Sequence, residues 1–400
     1  MIQKGRIEQV VNKQHEYISA SKKEVPREQA ESTCVEKNLA TIVTGIRRCG
    51  KSTLMRQVML KYPKKEVLYL NFDDISLTGF EQDDFIRLHA LIEERGAKIL
   101  FFDEIQLVSG WEIFIHQLLR EGFLVYITGS NASMLSVELG THLTGRHLSE
   151  ELFPFSYTEY LLYTKQQQGE ESFLNYLKYG GMPEYLATHD RRVLLSLVED
   201  ILIRDIAIRR GIRNVDPLKR LAVYLLTNAA KPFTGNRLSS LVGDMATSTV
   251  LDYVDYLRDS YLVDTIGQYS LSMRTTIRNP KKVYALDTGI VSAVTLSQSE
   301  DLGRLLENYM FIVLRKQHKG HLYYYRETGE CDFVVTSIDN TPQELYQVCM
   351  KLTDENFERE IGGLREAMRN LHINSGNVVT LSETDHFNVE EGEINIVRAF

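Results

Sequence analysis

Long apolar runs are missing from this chain of 400 residues. A helix that spans a bilayer needs about 20 consecutive apolar residues, and no run in the sequence approaches that length. Residues 1–14 also hold no apolar core of the kind that a signal peptide carries. We therefore expect no association with a membrane.

Cysteine is scarce as well, with four in the whole chain: Cys34, Cys49, Cys331 and Cys349. Their spacing matches no metal-ligand motif, and they are too few for a disulfide scaffold. A reduced cytoplasmic setting is the location that this cysteine content favours.

An excess of positive charge is also absent, because 46 Lys and Arg stand against 54 Asp and Glu and give a net charge of −8. Such a chain has no overall attraction for nucleic acid, so any contact with DNA requires a local basic patch. The hydrophobic content of 43% and charged content of 25% are typical of globular proteins. The length predicts two to three domains.

The most informative stretch is residues 41–54, TIVTGIRRCGKSTL. An apolar strand is predicted to run into a G-x-x-x-x-G-K-S loop, and a helix is predicted to begin near Lys51. Gly45 and Gly50 permit the tight turn that points backbone N–H groups at a polyphosphate. The start of the helix adds partial positive charge. The predicted nucleotide-binding residues are Gly45, Ile46, Arg47, Arg48, Cys49, Gly50, Lys51, Ser52 and Thr53.

Two side chains of this loop carry the proposed chemistry. Lys51 is predicted to reach the β- and γ-phosphates, and the Ser52 hydroxyl is predicted to ligate Mg²⁺. The alternative is a chance match in a glycine-containing turn. A second element is needed to decide between them.

An acidic pair supplies that element. Residues 98–106, KILFFDEIQ, predict a strand buried on both faces that ends in Asp103 and Glu104. An acid at the C-terminal end of a central strand lies beside the phosphate loop in an open α/β sheet. Asp103 is then the magnesium-side carboxylate, usually acting through water, and Glu104 orients and deprotonates the attacking water. Two acids that merely end a core strand are a poor explanation with the loop about fifty residues upstream. We predict an ATP site.

Two further catalytic candidates follow in the sequence. The strand FLVYIT at 123–128 ends before Ser130 and Asn131, either of which is placed to sense the γ-phosphate. The alternative is an ordinary strand-to-helix turn, which also favours Ser and Asn. Arg146 is a candidate for neutralising transition-state charge in its own subunit or in a neighbouring one. A surface arginine is the alternative.

The middle of the chain has a different character. After an ATPase domain at 1–160, residues 161–216 predict a helical subdomain and linker. Residues 217–290 predict a winged helix-turn-helix, with two short helices joined by a tight turn and then two strands. The alternative is a winged helix that packs only against protein. The predicted contacts with double-stranded DNA are Asn236, Arg237, Thr247, Ser248 and Thr249, with a basic stripe of Lys231, Arg274, Arg278, Lys281 and Lys282.

Residues 291–400 alternate strands and helices in a manner typical of metal-dependent nucleases. Glu307 on a helix and Asp332 on a strand are placed to hold magnesium. The third strand should carry Glu-x-Lys, but Gln347 and Cys349 stand at those positions. Nearby Glu344 and Lys351 do not have that spacing. A nuclease-like domain without nuclease activity, available to a protein partner, is the prediction.

Several segments together resemble the prokaryotic AAA-type ATPases joined to domain of unknown function 4143. These segments are GIRRCGKSTL, LFFDEIQ, YITGSNA, LTGRHLSEELFPFSYTEY, KVYALDTGI, LLENYMF and ECDFVV. The resemblance covers nearly the whole chain. It implies a P-loop NTPase with a doubly wound parallel sheet, a winged-helix linker and a restriction-endonuclease-like α/β domain. It also implies adenine rather than guanine.

Three functions are open at this point. The leading hypothesis is an ATP-hydrolysing machine that acts on DNA or on a DNA-bound partner. The second is an ATP-dependent regulatory switch with little turnover. The third is an ATP-gated metal-dependent nuclease, against which Gln347 and Cys349 count. The oligomeric state is left open.

Overall fold

A computed structural model describes residues 1–19, 24–33, 37–129, 146–270, 272–295 and 301–400. The chain divides into two compact units. The first comprises Met1–Tyr163 with Asp259–Tyr261, and the second comprises Thr164–Arg258 with Leu262–Phe400. Within the described ranges, no helix combines the length and apolar character that crossing a bilayer requires.

The first unit is built on a parallel sheet of five strands in the order β2-β3-β4-β1-β5. Because every neighbouring pair is parallel, the carboxyl ends of all five strands meet at one edge. The two strands that precede the phosphate loop and the acidic pair, β1 and β3, are buried along their whole length. The strands are β1 (Ala40–Thr44), β2 (Val67–Asn71), β3 (Ile99–Asp103), β4 (Leu124–Thr128) and β5 (His147–Glu151).

Helices of the first unit cover this sheet with apolar faces. In the helix at Trp111–Arg120, Phe114, Ile115 and Leu118 recur at helical spacing and are all buried in the core. A fully buried side chain of this size stabilises the fold by about 1.5–3 kcal/mol. The helices are α1 (Lys4–Ser19), α2 (Gln29–Ser32), α3 (Lys51–Met59), α4 (Asp84–Arg95), α5 (Trp111–Arg120) and α6 (Tyr157–Thr164).

The second unit contains a mixed sheet of nine strands in the order β13-β14-β12-β11-β10-β9-β7-β8-β6. β7 pairs antiparallel with β8 and parallel with β9. Strands from the predicted winged helix and from the C-terminal segment therefore share one sheet. The strands are β6 (Pro232–Phe233), β7 (Val263–Gln268), β8 (Lys281–Ala285), β9 (Leu322–Arg326), β10 (Glu330–Thr336), β11 (Pro342–Val348), β12 (Ser375–Thr380), β13 (Asp385–Val389) and β14 (Gly392–Arg398).

The helices of the second unit include a π-helical stretch at Ile201–Ile208 that continues α9. Two helices, α11 (Gly235–Leu241) and α12 (Thr247–Asp259), occupy the positions predicted for a helix-turn-helix. Their assignment to a winged helix stays a prediction, as do the boundaries at 160, 216 and 290. The helices are α7 (Glu170–Tyr179), α8 (Pro183–Thr188), α9 (Arg191–Asp200), α10 (Asp216–Thr227), α11 (Gly235–Leu241), α12 (Thr247–Asp259), α13 (Met273–Arg278), α14 (Thr288–Val294), α15 (Leu302–Gln317) and α16 (Phe357–Leu371).

One predicted DNA contact is wrong. Lys282 lies in β8, and its side chain is only 3% exposed because three carboxylates surround its ammonium. It cannot reach a duplex. By contrast, Lys231, Asn236, Arg237 and Arg278 are exposed, while the side chain of Arg274 lies outside the described residues.

Candidate nucleotide-binding site

The loop that joins β1 to α3 has a course that only glycine permits at two positions. Gly45 and Gly50 have φ angles of 141° and 106°. A Cβ atom on Gly45 would lie 2.2 Å from the carbonyl oxygen of Leu152, and one on Gly50 would lie 2.9 Å from Arg27 Nη1. The two glycines of the motif are therefore required by close packing as well as by backbone conformation.

Lys51 begins α3 and is almost fully buried. Its Nζ donates hydrogen bonds to the carbonyl oxygens of Gly45 at 2.9 Å and Ile46 at 3.1 Å. Because both acceptors are neutral, these bonds leave the positive charge available to an anion in the loop. The next residue, Ser52, is exposed, so its hydroxyl is accessible to a ligand.

Asp103, at the end of β3, is held by the two neighbouring strands. Its Oδ2 accepts a hydrogen bond from the Tyr69 hydroxyl at 2.8 Å, and its Oδ1 accepts one from the Thr128 hydroxyl. Burial, with the Asp103 carboxylate beside it, raises the pKa of Tyr69, so the phenol remains a donor. Sequence reasoning did not assign Tyr69 or Thr128 a role. The sequence pattern that could have identified them is a polar residue in the middle or at the carboxyl end of each strand that flanks β3.

Glu104 follows in a left-handed conformation, with φ of 53°. Its backbone N–H donates to Thr128 Oγ1 at 3.2 Å, and its carboxylate accepts a hydrogen bond from Gln106 Nε2. Burial raises the pKa of Glu104, while the charge of Lys51 opposes that rise. A carboxylate with a raised pKa is the better general base near neutral pH. Non-glycine residues in this backbone conformation are concentrated at functional sites.

The remaining predicted loop residues divide by exposure. Ile46 and Cys49 are buried, and burial raises the pKa of the Cys49 thiol, which makes it unreactive. Arg48 is exposed and Arg47 and Thr53 are half-buried. The predicted sensor, Asn131 or Ser130, lies outside the described residues.

Arg146 lies beside the amino ends of the strands, whereas the phosphate loop lies at their carboxyl ends. Its carbonyl oxygen accepts a hydrogen bond from the N–H of Ala40, the first residue of β1, at 3.0 Å, and its Nη1 lies 3.5 Å from His116 Nε2. The loop begins five residues after Ala40, which is about 16 Å along a strand. The prediction that Arg146 serves the nucleotide of its own subunit is therefore wrong. A contribution to a neighbouring subunit stays a prediction.

The residues present fit a nucleoside polyphosphate with magnesium. The loop offers a glycine cradle and an ammonium, and the hydroxyl of Ser52 and the carboxylate of Asp103 are oxygen ligands of the kind that Mg²⁺ prefers. Among the described residues, no three His, Cys, Asp or Glu side chains are grouped to hold a metal ion. Mg²⁺ at this site would accordingly depend on phosphate oxygens and water for its other ligands.

Comparison with known proteins agrees with this arrangement in the first unit. A family model described as an AAA domain, AAA_14, matches residues 37–161. The chain is 30% identical over 372 residues to "Uncharacterized protein MJ1544" of Methanocaldococcus jannaschii, covering 87% of this chain and 83% of that protein. The chain belongs to the same family as MJ1544. An uncharacterized protein of Haemophilus influenzae is 27% identical over 344 residues, covering 80% of this chain and 84% of that one.

The second unit matches a different model, a domain of unknown function (DUF8612), over residues 170–301. The predicted AAA-type P-loop domain is thus confirmed by the AAA match and the parallel sheet, whereas the domain number 4143 stays a prediction.

Two solved structures resemble the chain weakly. AMPPCP-bound DnaA from Aquifex aeolicus has a TM-score of 0.26 at 15% identity, covering 58% of this chain and 85% of that chain. The Hsp104–ADP complex of S. cerevisiae has a TM-score of 0.28 at 15% identity, covering 64% of this chain and 39% of that chain. At such scores neither carries an argument.

A second charged cluster lies in the second unit, where sequence analysis places the nuclease-like carboxylates. Lys282 Nζ lies 3.0 Å from Glu307 Oε1, 2.8 Å from Glu330 Oε1 and 2.9 Å from Asp332 Oδ1. Burial opposes the charge of Lys282, but the surrounding acids outweigh it and raise the pKa of Lys282 well above its ordinary value. An ammonium therefore stands where these carboxylates would hold a metal ion. The residues present do not fit a divalent metal.

Gln347 is hydrogen-bonded on both sides of its amide, and Cys349 is buried. Gln347 Nε2 donates to Glu360 Oε2 at 2.6 Å, and its Oε1 accepts from the N–H of Asp332 at 3.2 Å. Burial raises the pKa of the Cys349 thiol to about 12. The departure from Glu-x-Lys is thus built into the packing of this unit.

Proposed function

We propose that this protein is an ATPase that binds ATP with Mg²⁺ and hydrolyses it to ADP and phosphate. One observation carries the proposal: the glycine cradle, the Lys51 ammonium and the acids Asp103 and Glu104 lie at the same edge of a parallel sheet. The AAA domain match over the same residues supports it. Phosphoryl transfer to water requires a loop that binds the phosphates, a cation, a carboxylate beside the metal ion and a general base.

Each residue has a distinct role in this proposal. Lys51 and the loop N–H groups bind the phosphates, and Ser52 and Asp103 are the residues that would hold a magnesium ion, Asp103 through water. Glu104 accepts a proton from the attacking water, and the hydrogen bond that its backbone N–H donates to Thr128 Oγ1 fixes its position. Tyr69 and Thr128 orient Asp103.

The decisive experiment measures ATP binding and turnover for the wild type and Glu104→Gln. The variant keeps the shape of the side chain but removes the base, so we expect ATP affinity within about two-fold of wild type and a turnover about a thousand-fold lower. A Glu104→Gln protein that hydrolyses ATP at the wild-type rate would remove Glu104 from the mechanism. A wild type that fails to bind ATP would overturn the proposal itself.

For the purpose of the ATPase, we propose that nucleotide state is coupled to DNA or to a DNA-associated partner through residues 217–290. Exposed Lys231, Arg237 and Arg278 supply positive charge, although exposed Asp252 and Asp255 on α12 oppose contact with phosphates. Turnover measured with and without duplex DNA at two salt concentrations tests the coupling. Stimulation that weakens with salt is the expected result, and equal rates would assign these residues to a protein partner.

A regulatory switch with low basal turnover is the second candidate, and one contact favours it. The general base Glu104 is already bonded to Gln106 Nε2, while Gln106 Oε1 is buried without a partner among the described residues. An unpartnered buried oxygen is a cost that another arrangement of this pair would relieve. ATP-dependent partner affinity with negligible turnover would favour the switch over the machine. We do not propose nuclease activity, because Lys282 fills the place of the metal ion.

A further inference from the structure

Arg27 lies behind the phosphate loop, in the segment 24–33 that precedes β1. Its side chain is buried, and its three donor groups all have partners. Nη1 donates to the carbonyl oxygen of Cys49 at 2.7 Å, Nη2 to that of Phe153 at 2.6 Å, and Nε to Glu159 Oε1 at 2.9 Å. The guanidinium thus joins the loop to the chain that follows β5.

The contact with Cys49 has a consequence on the other side of the same peptide group. The carbonyl of Cys49 and the N–H of Gly50 belong to one planar trans peptide, so they point in opposite directions. Arg27 holds the carbonyl end, which leaves the N–H end directed away from it. A charged donor on a carbonyl also polarises the amide and makes its N–H a stronger donor.

The surroundings fix Arg27 in this pose. Glu159 Oε1 also accepts from the N–H of Glu28 at 2.9 Å, and Glu159 Oε2 accepts from the N–H of Ser156 at 2.9 Å. Gln57, on α3, accepts from the N–H of Arg27 at 2.8 Å and donates to the carbonyl of Val25 at 2.8 Å. Both the backbone and the guanidinium are therefore oriented before any ligand arrives, which lowers the cost of organising the loop.

We propose that Arg27 is a positioning residue for the phosphate loop, which fixes and polarises the Cys49–Gly50 peptide for binding of a nucleoside polyphosphate. This inference rests on the proposed ATP site. It makes a specific claim beyond it: the contribution of Arg27 is directed at phosphate and not at the rest of the nucleotide. A purely structural arginine would affect all ligands alike.

The test measures dissociation constants for ATP, ADP and adenosine, with the thermal midpoint of the ligand-free protein beside them. Arg27→Gln keeps an N–H donor but removes the positive charge and the planar set of guanidinium N–H groups. We expect ATP and ADP to bind about ten-fold more weakly, with adenosine unchanged. Arg27→Lys keeps the charge without the planar set of N–H groups, so its affinity for ATP and ADP should fall about three-fold while its affinity for adenosine is unchanged.

The matched control is Glu24→Gln. Glu24 lies on the same segment and pairs with Arg56 of α3, with Arg56 Nε 3.0 Å from Glu24 Oε2, but it does not contact the loop carbonyl. This variant should bind ATP, ADP and adenosine as wild type does. If it loses the same phosphate-dependent affinity, the segment as a whole and not Arg27 is responsible.

Each other outcome is also decisive. Equal weakening for ATP, ADP and adenosine, or wild-type affinity in a folded Arg27→Gln protein, would overturn the inference. If Arg27→Gln does not fold, the test uses Arg27→Lys. A ratio of ATP affinity to adenosine affinity below that of wild type supports the inference, and an unchanged ratio overturns it. If wild type binds no ATP, the proposed function fails, which is a different result from wild-type binding with insensitive Arg27 variants.

Discussion

Among the residues that the structure describes, each unit buries one lysine, and the two lie in different electrostatic surroundings. Lys51 donates to two neutral carbonyls of the phosphate loop. Lys282 is enclosed by the carboxylates of Glu307, Glu330 and Asp332. Among the described residues, no carboxylate lies within ion-pair distance of the first ammonium, which stands beside a glycine cradle, whereas the charge of the second is more than balanced by its neighbours.

This difference decides what each cluster can bind. A buried charge without a carboxylate partner gains much from an incoming anion, so Lys51 favours phosphate. A fully paired ammonium has little to offer an anion and occupies the position of a cation. A buried lysine therefore favours binding of an anion in the first cluster and excludes a metal cation from the second.

The largest effect is expected from Lys282→Met. Removal of the ammonium leaves three clustered acids without their cation, and breaking a buried ion network in this way costs about 3–5 kcal/mol. We expect a lower free energy of unfolding in denaturant titration and unchanged ATP affinity in whatever fraction remains folded. A Lys282→Met protein as stable as wild type would show that these acids do not require the ammonium, and the comparison would be false.

The same substitution at the other site should have the opposite result. Lys51→Met removes the cation that phosphates would meet, and ATP affinity should fall about a hundred-fold. The thermal midpoint should change little, because only two neutral acceptors lose a partner that the loop can replace with water. A large loss of stability with ATP affinity intact would make Lys51 a structural lysine like Lys282.

A smaller effect is expected from pH. Burial and the nearby Asp332 raise the pKa of Glu307 to about 7, against about 4.3 in the unfolded chain. Between these values the folded protein holds a proton that the unfolded chain has released. This stabilisation is complete below pH 4 and is lost as pH rises through about 7.

Thermal midpoints of wild type and Glu307→Gln, measured from pH 4 to 8, test this. The glutamine cannot titrate, so the variant should lose less stability than wild type across that window. Parallel curves for the two proteins would mean that Glu307 is ionised throughout this pH range. The charge of Lys282 would then outweigh the effect of burial on Glu307.

The smallest effect is expected from Gln106→Ala, which frees Glu104 from its present hydrogen bond. Basal turnover should rise a few-fold if that bond restrains the base, with ATP affinity unchanged. Steady-state rates in the absence of any partner measure it. A lower turnover would show instead that Gln106 orients Glu104 for the reaction.

The phosphate loop and acidic pair were predictable because their information is local. Eight consecutive residues specify the loop, and a continuous apolar run specifies the buried strand before Asp103. The surroundings of Lys282 depend on partners 25 and 50 residues away. Lys282 follows Lys281 and lies four residues after Arg278, so the local sequence resembles a basic surface stripe, and nothing in it reveals the acids.

Strand register accounts for most other misses. Arg146 follows the phosphate loop by about a hundred residues, and only the pairing of Ala40 with His147 reveals that it lies at the wrong edge. Likewise, the parallel pairing of Gly267 with Tyr323 joins two segments that the sequence treats as separate domains. Arg27 could not be assigned a role from the sequence, because its buried partners Glu159, Cys49 and Phe153 lie 132, 22 and 126 residues away.

The sheet of the second unit ends at one side in β6, which has two residues and begins with Pro232. Proline has no N–H, and so short an edge presents almost no hydrogen-bonding groups to a further strand. A nine-stranded sheet with a long free edge would be a template for aggregation while the chain is being synthesised. Here growth of the sheet stops at β6, which protects the folding chain against pairing with another copy along that side.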